Sequence, residues 1–267
     1  MIDIHSHVLP GIDDGAADFN ESLQMLELAR ETGTTAMATT PHADLRYNFD
    51  PERSACLRAM LQEQCPNGPR LYSGCEVHLT PDNIARILKT PSAFTLNAGD
   101  CLLLELPDLV APPMVTPALQ ALADSGLRVI IAHPERNPYI QQNPSYMRKL
   151  VDEGCYLQIT ARSLSGGFGP AASAAATHML KRRLAHFIAS DTHGVTRRKP
   201  CLDGVYGAIA KAYGEPAARM LLTHNPEAAV NRAEIRPMPG TSGWLTSFFS
   251  RPSQNYGEQT YAHMREV

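Results

Sequence analysis

The segment at residues 127–136, LRVIIAHPER, is the most informative about the fold. It is a near-continuous apolar run that ends at His133. Strands of this composition are typical of parallel sheets, in which helices cover both faces. Helix signals lie on either side of the segment, at the Thr-Pro pair 116–117 and at the Asn-Pro pair 143–144. The segment therefore predicts a buried strand between two helices.

The same alternation of strand and helix runs along the chain. Helix starts are predicted by Asp18 followed by Glu21, and by proline in the first turn at 50–51 and 80–81. Between the helices lie seven segments rich in apolar and β-branched residues: MIDIHSH, TTAMATT, RLYSGCEV, CLLLEL, LRVIIA, CYLQIT and HFIAS. The pattern predicts an α/β fold with parallel strands, either open and doubly wound or closed as a barrel.

Polar residues at the strand ends favour the barrel. In a parallel barrel, reacting groups project from the C-terminal ends of several strands, whereas an open sheet concentrates them at one switch point. The first predicted strand is also not followed by the glycine-rich phosphate loop of a nucleotide-binding sheet. The polar strand-end residues, in chain order, are His5, His7, His42, Glu76, Glu105, His133, Asp191 and His193.

The opening segment, MIDIHSH, places two histidines two positions apart. In a regular strand, His5 and His7 would share one face with Asp3, while Ile2 and Ile4 would pack outward under the helices. Two imidazoles on one face can chelate a metal, although such a pair also occurs by chance in a strand at a sheet edge.

Each strand-end residue has an ordinary structural explanation when it is considered alone. His42 or His133 could be a hydrogen-bonded loop histidine, and Glu105, which follows three leucines, could pair with an arginine. Five histidines and several carboxylates at the same end of successive strands are harder to explain in this way. The sequence therefore predicts a metal centre at the C-terminal ends of the strands.

Composition limits the classes of function. With 267 residues and 43% hydrophobic content, the chain is long enough for one large domain. The net charge of -3 and the shortness of the basic cluster RRK at 197–199 argue against a nucleic-acid partner. Neither a leader-like segment nor a membrane-spanning apolar run is apparent, which predicts a cytoplasmic protein without a membrane span.

The six cysteines are scattered without a Cys-x2-Cys pair, as expected of small buried side chains in a reducing compartment. None of them is followed six positions later by arginine. The chain thus lacks the Cys-x5-Arg loop with which thiolate phosphatases surround a phosphate. Phosphatase chemistry of that kind is excluded.

Seven stretches of the chain resemble motifs of the polymerase and histidinol phosphatase (PHP) superfamily: DIHSHVLPGIDDGA, TTPHAD, GCEV, LLLELP, IIAHPERN, ITARSLSGGFG and ASDTHG. Within the superfamily, they are most similar to bacterial manganese-dependent protein tyrosine phosphatases of capsule and exopolysaccharide systems. The resemblance spans residues 1 to about 230 and implies a distorted (β/α)7 TIM-like barrel, the PHP fold. We expect the barrel to occupy residues 1–235 and a C-terminal tail to occupy residues 236–267.

The resemblance also implies a site for three metal ions. Its nine ligands fall into three groups, of which the second shares a glutamate with the first: His5, His7, Glu76 and Asp191; Glu76, Glu105 and His133; Asp14, His42 and His193. In GIDDG, the aspartate that matches the family ligand is Asp14 rather than Asp13. The resemblance implies manganese, while a mixed set of imidazoles and carboxylates would also suit Fe²⁺ or Zn²⁺.

Two arginines are predicted to bind the phosphoryl group. Guanidinium suits phosphate because it can donate two parallel hydrogen bonds. Arg136 lies three residues beyond His133, and Arg198, five beyond His193, matches the second phosphate-binding arginine of the family. Arg197 could take the place of Arg198. The predicted catalytic residues are therefore Arg136, Arg198 and Asp14, the last of which is also a predicted metal ligand.

The favoured function is that of a metal-dependent protein tyrosine phosphatase. The resemblance implies that the partner is a tyrosine-phosphorylated bacterial autokinase that controls capsular or exopolysaccharide synthesis. A bridging carboxylate such as Glu76 could hold two cations, which would lower the pKa of a bound water and supply hydroxide for attack on phosphorus. Glu105 and Asp14 favour this function over that of a histidinol phosphatase. The resemblance implies that histidinol phosphatases and other relatives tend to carry histidines at these two positions.

Two alternatives stay open at this point. The first is a small-molecule phosphomonoesterase of the same superfamily, acting for example on histidinol phosphate. The second is a non-catalytic, metal-stabilised PHP module. Retention of all the proposed ligands together with two arginines argues against the second alternative.

Loop and tail segments receive less specific predictions. Tyr47 and Phe49, in the loop after His42, could stack on an aryl ester, and the glycine-rich stretch SLSGGFG could form a rim. In the tail, four apolar side chains would share one stripe if the segment were helical, and would then pack back on the barrel: Trp244, Leu245, Phe248 and Phe249.

Overall fold

Parallel strands form the centre of the fold in the computed structural model, which describes residues 1–108 and 112–240. Within these ranges, one sheet has the order β1-β2-β4 and a second has the order β3-β5-β6-β7-β8-β9. Every strand pairing is parallel, which confirms the predicted α/β class. The strands are β1 (Ile2–Ser6), β2 (Ala36–Thr39), β3 (His42–Ala43), β4 (Arg70–Ser73), β5 (Glu76–His78), β6 (Cys101–Glu105), β7 (Arg128–Ala132), β8 (Tyr156–Thr160) and β9 (Phe187–Ala189).

Helices connect most of the successive strands, as crossover connections between parallel strands require. The α-helices are α1 (Phe19–Glu31), α2 (Pro51–Gln64), α3 (Pro81–Lys89), α4 (Pro112–Asp124), α5 (Pro138–Gln142), α6 (Ser145–Asp152), α7 (Ala161–Leu164), α8 (Gly169–Lys181), α9 (Asp203–Tyr213), α10 (Glu215–Arg219) and α11 (Asn225–Val230). Shorter 3₁₀ turns cover Pro91–Ala93, Leu96–Ala98 and Pro134–Arg136, and a π-helical turn covers Met220–His224.

Three predicted helix starts are confirmed, those of α1, α2 and α3. The Asp18 carboxylate accepts a hydrogen bond from the backbone N–H of Glu21 at 2.9 Å, and Thr80 accepts one from Asn83 at 3.2 Å. The predicted start of α4 at 116–117 is wrong, because the helix begins at Pro112 and contains Pro117. Adjacent prolines at 112 and 113 occupy its first turn, where proline is tolerated, and so supply an earlier start signal.

The predicted third strand is divided in two, and the predicted second strand is followed by a separate two-residue strand. β2 and β3 are separated by Thr40 and Pro41, and proline has no N–H for a ladder hydrogen bond. β4 and β5 are separated at Gly74, where an added Cβ would lie 2.9 Å from a methyl carbon of Leu96. The break redirects both strands, so that His42 pairs in register with Glu76. The prediction of an uninterrupted strand is therefore wrong for RLYSGCEV, while β3 was not predicted.

The first strand runs beside the segment that follows the last strand. The N–H of Asp191 donates to the carbonyl oxygen of His5 at 2.9 Å, and the N–H of His7 donates to that of Thr192 at 3.0 Å. Ser6 and Thr192 form a parallel bridge. These contacts bring the C-terminal ends of β1 and β9 together.

The two faces of the strands carry separate apolar clusters. On β6, Leu102 and Leu104 pack in a cluster that includes side chains of α4, whereas Leu103 packs in another cluster. Ile2 and Ile4 belong to the cluster of Leu103, so the prediction that they lie under the helices is wrong. The register of β1 against β2 shifts between Asp3 and Ser6, and an irregularity of this kind breaks the simple alternation of faces.

None of the helices in the described ranges is long and apolar enough to cross a membrane. The predicted apolar stripe of the tail lies outside the described residues.

Candidate metal centre

All nine predicted ligands lie at one end of the strands, in a single cluster. β1 contributes His5, and the turn that follows it contributes His7 and Asp14. The remaining ligands come from the C-terminal ends or first residues of strands and from the turns after them: His42, Glu76, Glu105, His133, Asp191 and His193. Overlapping groups of these side chains place one ligand atom from each member within 4.8 Å of the others.

The first predicted group surrounds the Nε2 atoms of His5 and His7, which lie 3.2 Å apart. Glu76 Oε2 lies 3.2 Å from His5 Nε2 and 3.3 Å from His7 Nε2. Asp191 Oδ1 lies 3.4 Å and 3.6 Å from the same two nitrogens. Four ligand atoms of the required types therefore converge, and all four side chains are buried.

The second predicted group is centred on the other oxygen of Glu76. His133 Nε2 lies 2.7 Å from Glu76 Oε1 and 3.8 Å from Glu105 Oε1. Glu76 thus directs one carboxylate oxygen to each of the two groups. This is the arrangement expected of a carboxylate that bridges two cations.

The third predicted group lies at the more open side of the cluster. Asp14 Oδ1 lies 3.3 Å from His42 Nε2 and 3.4 Å from His193 Nε2. Asp13 instead places Oδ2 2.8 Å from His7 Nδ1, the nitrogen that faces away from the cluster. The structure thus separates the two neighbouring aspartates: Asp14 lies among the candidate ligands, while Asp13 supports a ligand.

Among residues 1–108 and 112–240, three buried polar atoms of the cluster find no hydrogen-bond partner: His42 Nδ1, Glu76 Oε2 and His193 Nε2. His42 Nδ1 and Glu76 Oε2 are only 3.1 Å apart, yet their orientation does not form a hydrogen bond. Buried polar atoms without partners are costly unless another group satisfies them. Nitrogen and carboxylate oxygen atoms that face a common space fit divalent cations such as Mn²⁺, Fe²⁺ or Zn²⁺.

Residues outside the ligand set orient the histidines. Gln158 Oε1 lies 2.9 Å from His5 Nδ1, and Asp13 holds His7 in the same way. His78 Nδ1 lies 3.2 Å from Glu105 Oε2. Such contacts fix the ring orientation and tautomer of a ligand and raise its basicity. Sequence analysis missed the roles of Gln158 and His78. Gln158 lies inside β8, whereas His78 ends β5, so its strand-end position was the available signal.

Two of the candidate ligands have unusual backbone conformations. His133 has φ of 29° and Asp191 has φ of 52°, in the left-handed region that residues other than glycine rarely adopt. Both lie in the turns that immediately follow β7 and β9. Strained backbone of this kind is often retained where it positions functional side chains.

The electrostatics of the cluster favour ionised carboxylates. Burial opposes ionisation of Glu76 and Asp191, but nearby imidazoles, above all His5, outweigh it and lower the pKa of both carboxyls. Burial also lowers the pKa of His7, yet hydrogen bonds to Asp13 and Glu76 raise it overall, to about 10. A cluster that stabilises positive charge so strongly is suited to cations.

Both predicted arginines reach the cluster at Asp191. Arg136 Nη1 donates to Asp191 Oδ2 at 2.6 Å, and Arg198 Nη2 contacts the same oxygen. Arg198 Nε also donates to the backbone oxygen of Asp191 at 3.1 Å. Arg197 is exposed and makes no such contact. The geometry therefore selects Arg198 over Arg197.

A single aromatic ring connects these arginines. The guanidinium carbon of Arg136 lies 4.4 Å from the ring centroid of Phe168, that of Arg198 lies 5.5 Å away, and that of Arg162 lies 5.9 Å away. Phe168 belongs to the glycine-rich stretch predicted to form a rim, but its contact with the arginines was not predicted. Cation–π contacts at such distances hold guanidinium groups in place.

The two loop aromatics predicted to stack on an aryl ester differ in position. Tyr47 stacks on the His42 ring, with centroids 6.0 Å apart and planes tilted by 16°. Phe49 is buried against Phe94, with centroids 5.3 Å apart. The suggestion that Phe49 could contact substrate is therefore wrong, while Tyr47 lies beside the candidate ligands.

Glu135 is a further buried carboxylate that sequence analysis missed. Its Oε1 accepts hydrogen bonds from the Thr160 N–H at 2.9 Å and from Ser163 Oγ at 2.7 Å. Burial raises its pKa. Glu135 therefore ties the turn that carries Arg136 to the end of β8 and to α7. Its position between His133 and Arg136 was the available signal.

The model of a family described as capsular polysaccharide synthesis, CpsB/CapC, matches residues 1–231. The chain is 37% identical over 223 residues to CapC of Staphylococcus aureus, covering 80% of this chain and 86% of that one. It is 32% identical over 260 residues to YwqE of Bacillus subtilis, which is named a tyrosine-protein phosphatase, covering 93% of this chain and 100% of that one.

Solved structures give a consistent result. A structure described as that of metal-dependent tyrosine phosphatases, YwqE from Bacillus subtilis and CpsB from Streptococcus pneumoniae, matches with a TM-score of 0.83 and 30% identity. The match covers 90% of this chain and 98% of that one. A Listeria monocytogenes lactonase matches with a TM-score of 0.50 and 10% identity, which shows a shared fold alone.

Proposed function

The chain belongs to the CpsB/CapC family of capsular polysaccharide synthesis, and on this premise we propose how its strand-end cluster works as a metal-dependent tyrosine-protein phosphatase. The observation that carries the proposal is the convergence of imidazole and carboxylate atoms from six strands beside two arginines. Metal ligands and phosphate-binding cations are the two requirements of a phosphomonoesterase that uses no thiolate.

The residues divide into three overlapping metal-binding groups. We assign His5, His7, Glu76 and Asp191 to the first, Glu76, Glu105 and His133 to the second, and Asp14, His42 and His193 to the third. Manganese is the cation we favour, although Fe²⁺ or Zn²⁺ would suit the same atoms. When bound, such cations supply Lewis acidity and a hydroxide nucleophile at neutral pH.

Arg136 and Arg198 bind the phosphoryl group. Their guanidinium groups both contact Asp191 Oδ2, at the edge of the cluster, and each keeps further donors. Phosphoryl transfer spreads negative charge over the non-bridging oxygens, so preorganised cations stabilise the transition state more than the ground state. Phe168 helps by holding both guanidinium groups against its ring.

Asp14 acts as a metal ligand rather than as a proton donor. The neighbouring imidazoles of His193 and then His42 lower the pKa of Asp14 far below its ordinary value. A carboxyl that stays ionised at neutral pH cannot protonate a leaving group. The phenol of tyrosine has a pKa of about 10, so a phenolate leaves more readily than an alkoxide.

The substrate is phosphotyrosine on a partner protein. The partner we propose is a bacterial tyrosine autokinase that controls capsular or exopolysaccharide synthesis, and the compartment is the cytoplasm. Six free cysteines, three of them buried, support a reducing compartment. Tyr47, stacked on His42, lies where it can contact the tyrosine ring of the substrate.

The architecture that we propose for this site is a closed, distorted (β/α)7 barrel over residues 1–235, followed by a C-terminal tail over residues 236–267. The pairs β2 with β3 and β4 with β5 each count as one strand of this barrel. Hydrogen bonds that join β1 to the segment after β9 support the closure.

The test is a paired assay of phosphate release by manganese-loaded protein. We expect a tyrosine-phosphorylated kinase peptide to be hydrolysed with a higher kcat/KM than histidinol phosphate. A Glu76→Gln variant should lose activity on both, while the matched surface variant Asp82→Asn should keep it. Preference for histidinol phosphate would support the small-molecule alternative, and hydrolysis of neither substrate would support the non-catalytic module.

A further inference from the structure

We propose that a cationic groove beside the metal centre binds a second anionic group of the substrate chain, next to the phosphotyrosine. The groove has a volume of about 630 Å³ and is lined by side chains of α7, of the segment after β9 and of α9. This inference rests on the proposed phosphatase function and adds a substrate class, namely phosphotyrosine peptides that carry a neighbouring carboxylate or phosphate.

Arg198 connects the groove to the metal centre. Its side chain lines the groove, while its Nη2 contacts Asp191 Oδ2 and its Nε donates to the Asp191 backbone oxygen. Ser190, the residue before Asp191, lines the groove as well. A peptide whose phosphate binds at Arg198 therefore has the groove directly beside it.

Four cationic side chains line the groove, and within the described residues only Arg198 among them is paired with a carboxylate, that of Asp191. Arg162, Arg197 and Lys199 line it together with Arg198, and its lining contains no acidic residue. Within residues 1–108 and 112–240, no carboxylate lies within salt-bridge distance of Arg162, Arg197 or Lys199. Unpaired cations on a concave surface focus the electrostatic field and attract anions.

The Phe168 ring contacts arginines of both the groove and the proposed phosphate site. Its ring packs against Arg162 in the groove as well as against Arg136 and Arg198 at the metal centre. Arg162 is therefore positioned by the same side chain that positions the phosphate contacts. This shared support makes the groove part of the substrate-binding surface rather than a separate patch.

Carboxylates and phosphates share the chemistry that such a groove recognises, so the test includes a source of each. Rates are measured for three phosphotyrosine peptides of equal length, flanked by neutral residues, by glutamates or by a phosphoserine, and for a small aryl phosphate. We expect kcat/KM to be about three- to tenfold higher for either anionic peptide than for the neutral one. Raising the ionic strength to about 1 M should remove this preference.

Two double variants locate the effect. Arg197→Gln with Lys199→Gln should abolish the preference for anionic flanks. The matched control, Lys89→Gln with Lys181→Gln, removes two exposed lysines elsewhere and should keep it. Hydrolysis without any preference in the natural chain, or a preference that survives the groove variant, would overturn the inference while leaving the phosphatase function standing. Failure to hydrolyse even the aryl phosphate would overturn both.

Discussion

Single residues of the candidate metal centre depend on partners that lie just outside it. His7 directs Nε2 to the cluster because Asp13 binds its other nitrogen at 2.8 Å, and Gln158 does the same for His5 at 2.9 Å. Asp13 also accepts hydrogen bonds from the backbone N–H groups of Gly15 and His42. One carboxylate thus organises the turn after β1 and its neighbouring loop.

Asp13→Ala tests this supporting role. The variant should bind manganese about 10- to 100-fold more weakly, because His7 loses the contact that fixes its tautomer. Affinity can be measured by equilibrium dialysis and metal analysis. The matched variant Asp18→Ala removes a carboxylate that caps α1 and should leave metal affinity unchanged. Equal affinity in the Asp13 variant and the natural chain would contradict the assignment.

Arg136→Ala tests the phosphate contact. Turnover of a phosphotyrosine peptide should fall by about two to four orders of magnitude, comparable to the loss of other preorganised transition-state donors. Metal content should not change, since Arg136 binds no cation. The measurement is steady-state kinetics with metal analysis of the same sample, and Arg197→Ala serves as the neighbouring control. Normal kinetics in the Arg136 variant would mean that this arginine has a structural role only.

At the scale of helices and strands, the features that could be predicted from sequence are local. Capping residues such as Asp18 and Thr80 predicted helix starts because their hydrogen bonds reach only three residues along the chain. Strand-end ligands could be predicted because parallel strands share one end. By contrast, the pairing of His5 with Gln158 joins residues 153 positions apart, and no local pattern encodes it.

The irregularities within strands could not be predicted, because they also depend on contacts between residues far apart in the sequence. The register shift in β1 and the breaks after β2 and β4 depend on packing between neighbouring strands. Gly74 permits one of these breaks because Leu96 and Thr40 approach it too closely for a side chain. Propensity within one segment carries no information about such contacts.

His186, which precedes β9, predicts how the free energy of unfolding depends on pH. Burial lowers its pKa from 6.5 to about 4, and its Nδ1 accepts a hydrogen bond from the Leu157 N–H at 3.2 Å. As the pH falls, the His186 imidazole is therefore protonated at a higher pH in the unfolded chain than in the folded chain. The stabilising contribution is complete above pH 6.5 and is lost progressively towards pH 4.

Urea unfolding at pH 7 and pH 5 measures this contribution, with metal removed from every sample. From pH 7 to pH 5, the free energy of unfolding should decrease in both proteins. The decrease should be about 2 kcal/mol smaller in His186→Asn than in the natural chain. The control His224→Asn removes an exposed imidazole and should keep the full decrease. An identical pH response in the His186 variant would contradict the assignment.

At the scale of the whole molecule, three of the six thiols are buried, and the proposed metal ligands converge at one end of the strands. Cys75, Cys101 and Cys155 are buried, and burial raises the pKa of the Cys101 and Cys155 thiols to about 12. Thiols of this kind are poor nucleophiles. Fully folded protein treated with iodoacetamide should therefore keep its phosphatase rate, and a loss of rate with metal retained would contradict a thiol-independent mechanism.

The fold itself should not need the cations to form. Apolar clusters on both faces of the strands bury many side chains, and a chain of this length can derive most of its stability from them. Removal of metal should thus abolish activity without unfolding the protein, unlike in small metal-dependent domains.

The most direct measurement is the rate of phosphate release from a phosphotyrosine peptide by one protein sample, followed as metal is removed and returned. The sample is stripped by a chelator, its metal content and circular dichroism are recorded, and manganese is added back stepwise. We expect an unchanged spectrum, a rate at background after stripping, and recovery in proportion to bound manganese. A stripped, folded protein that keeps its full rate would contradict the central claim.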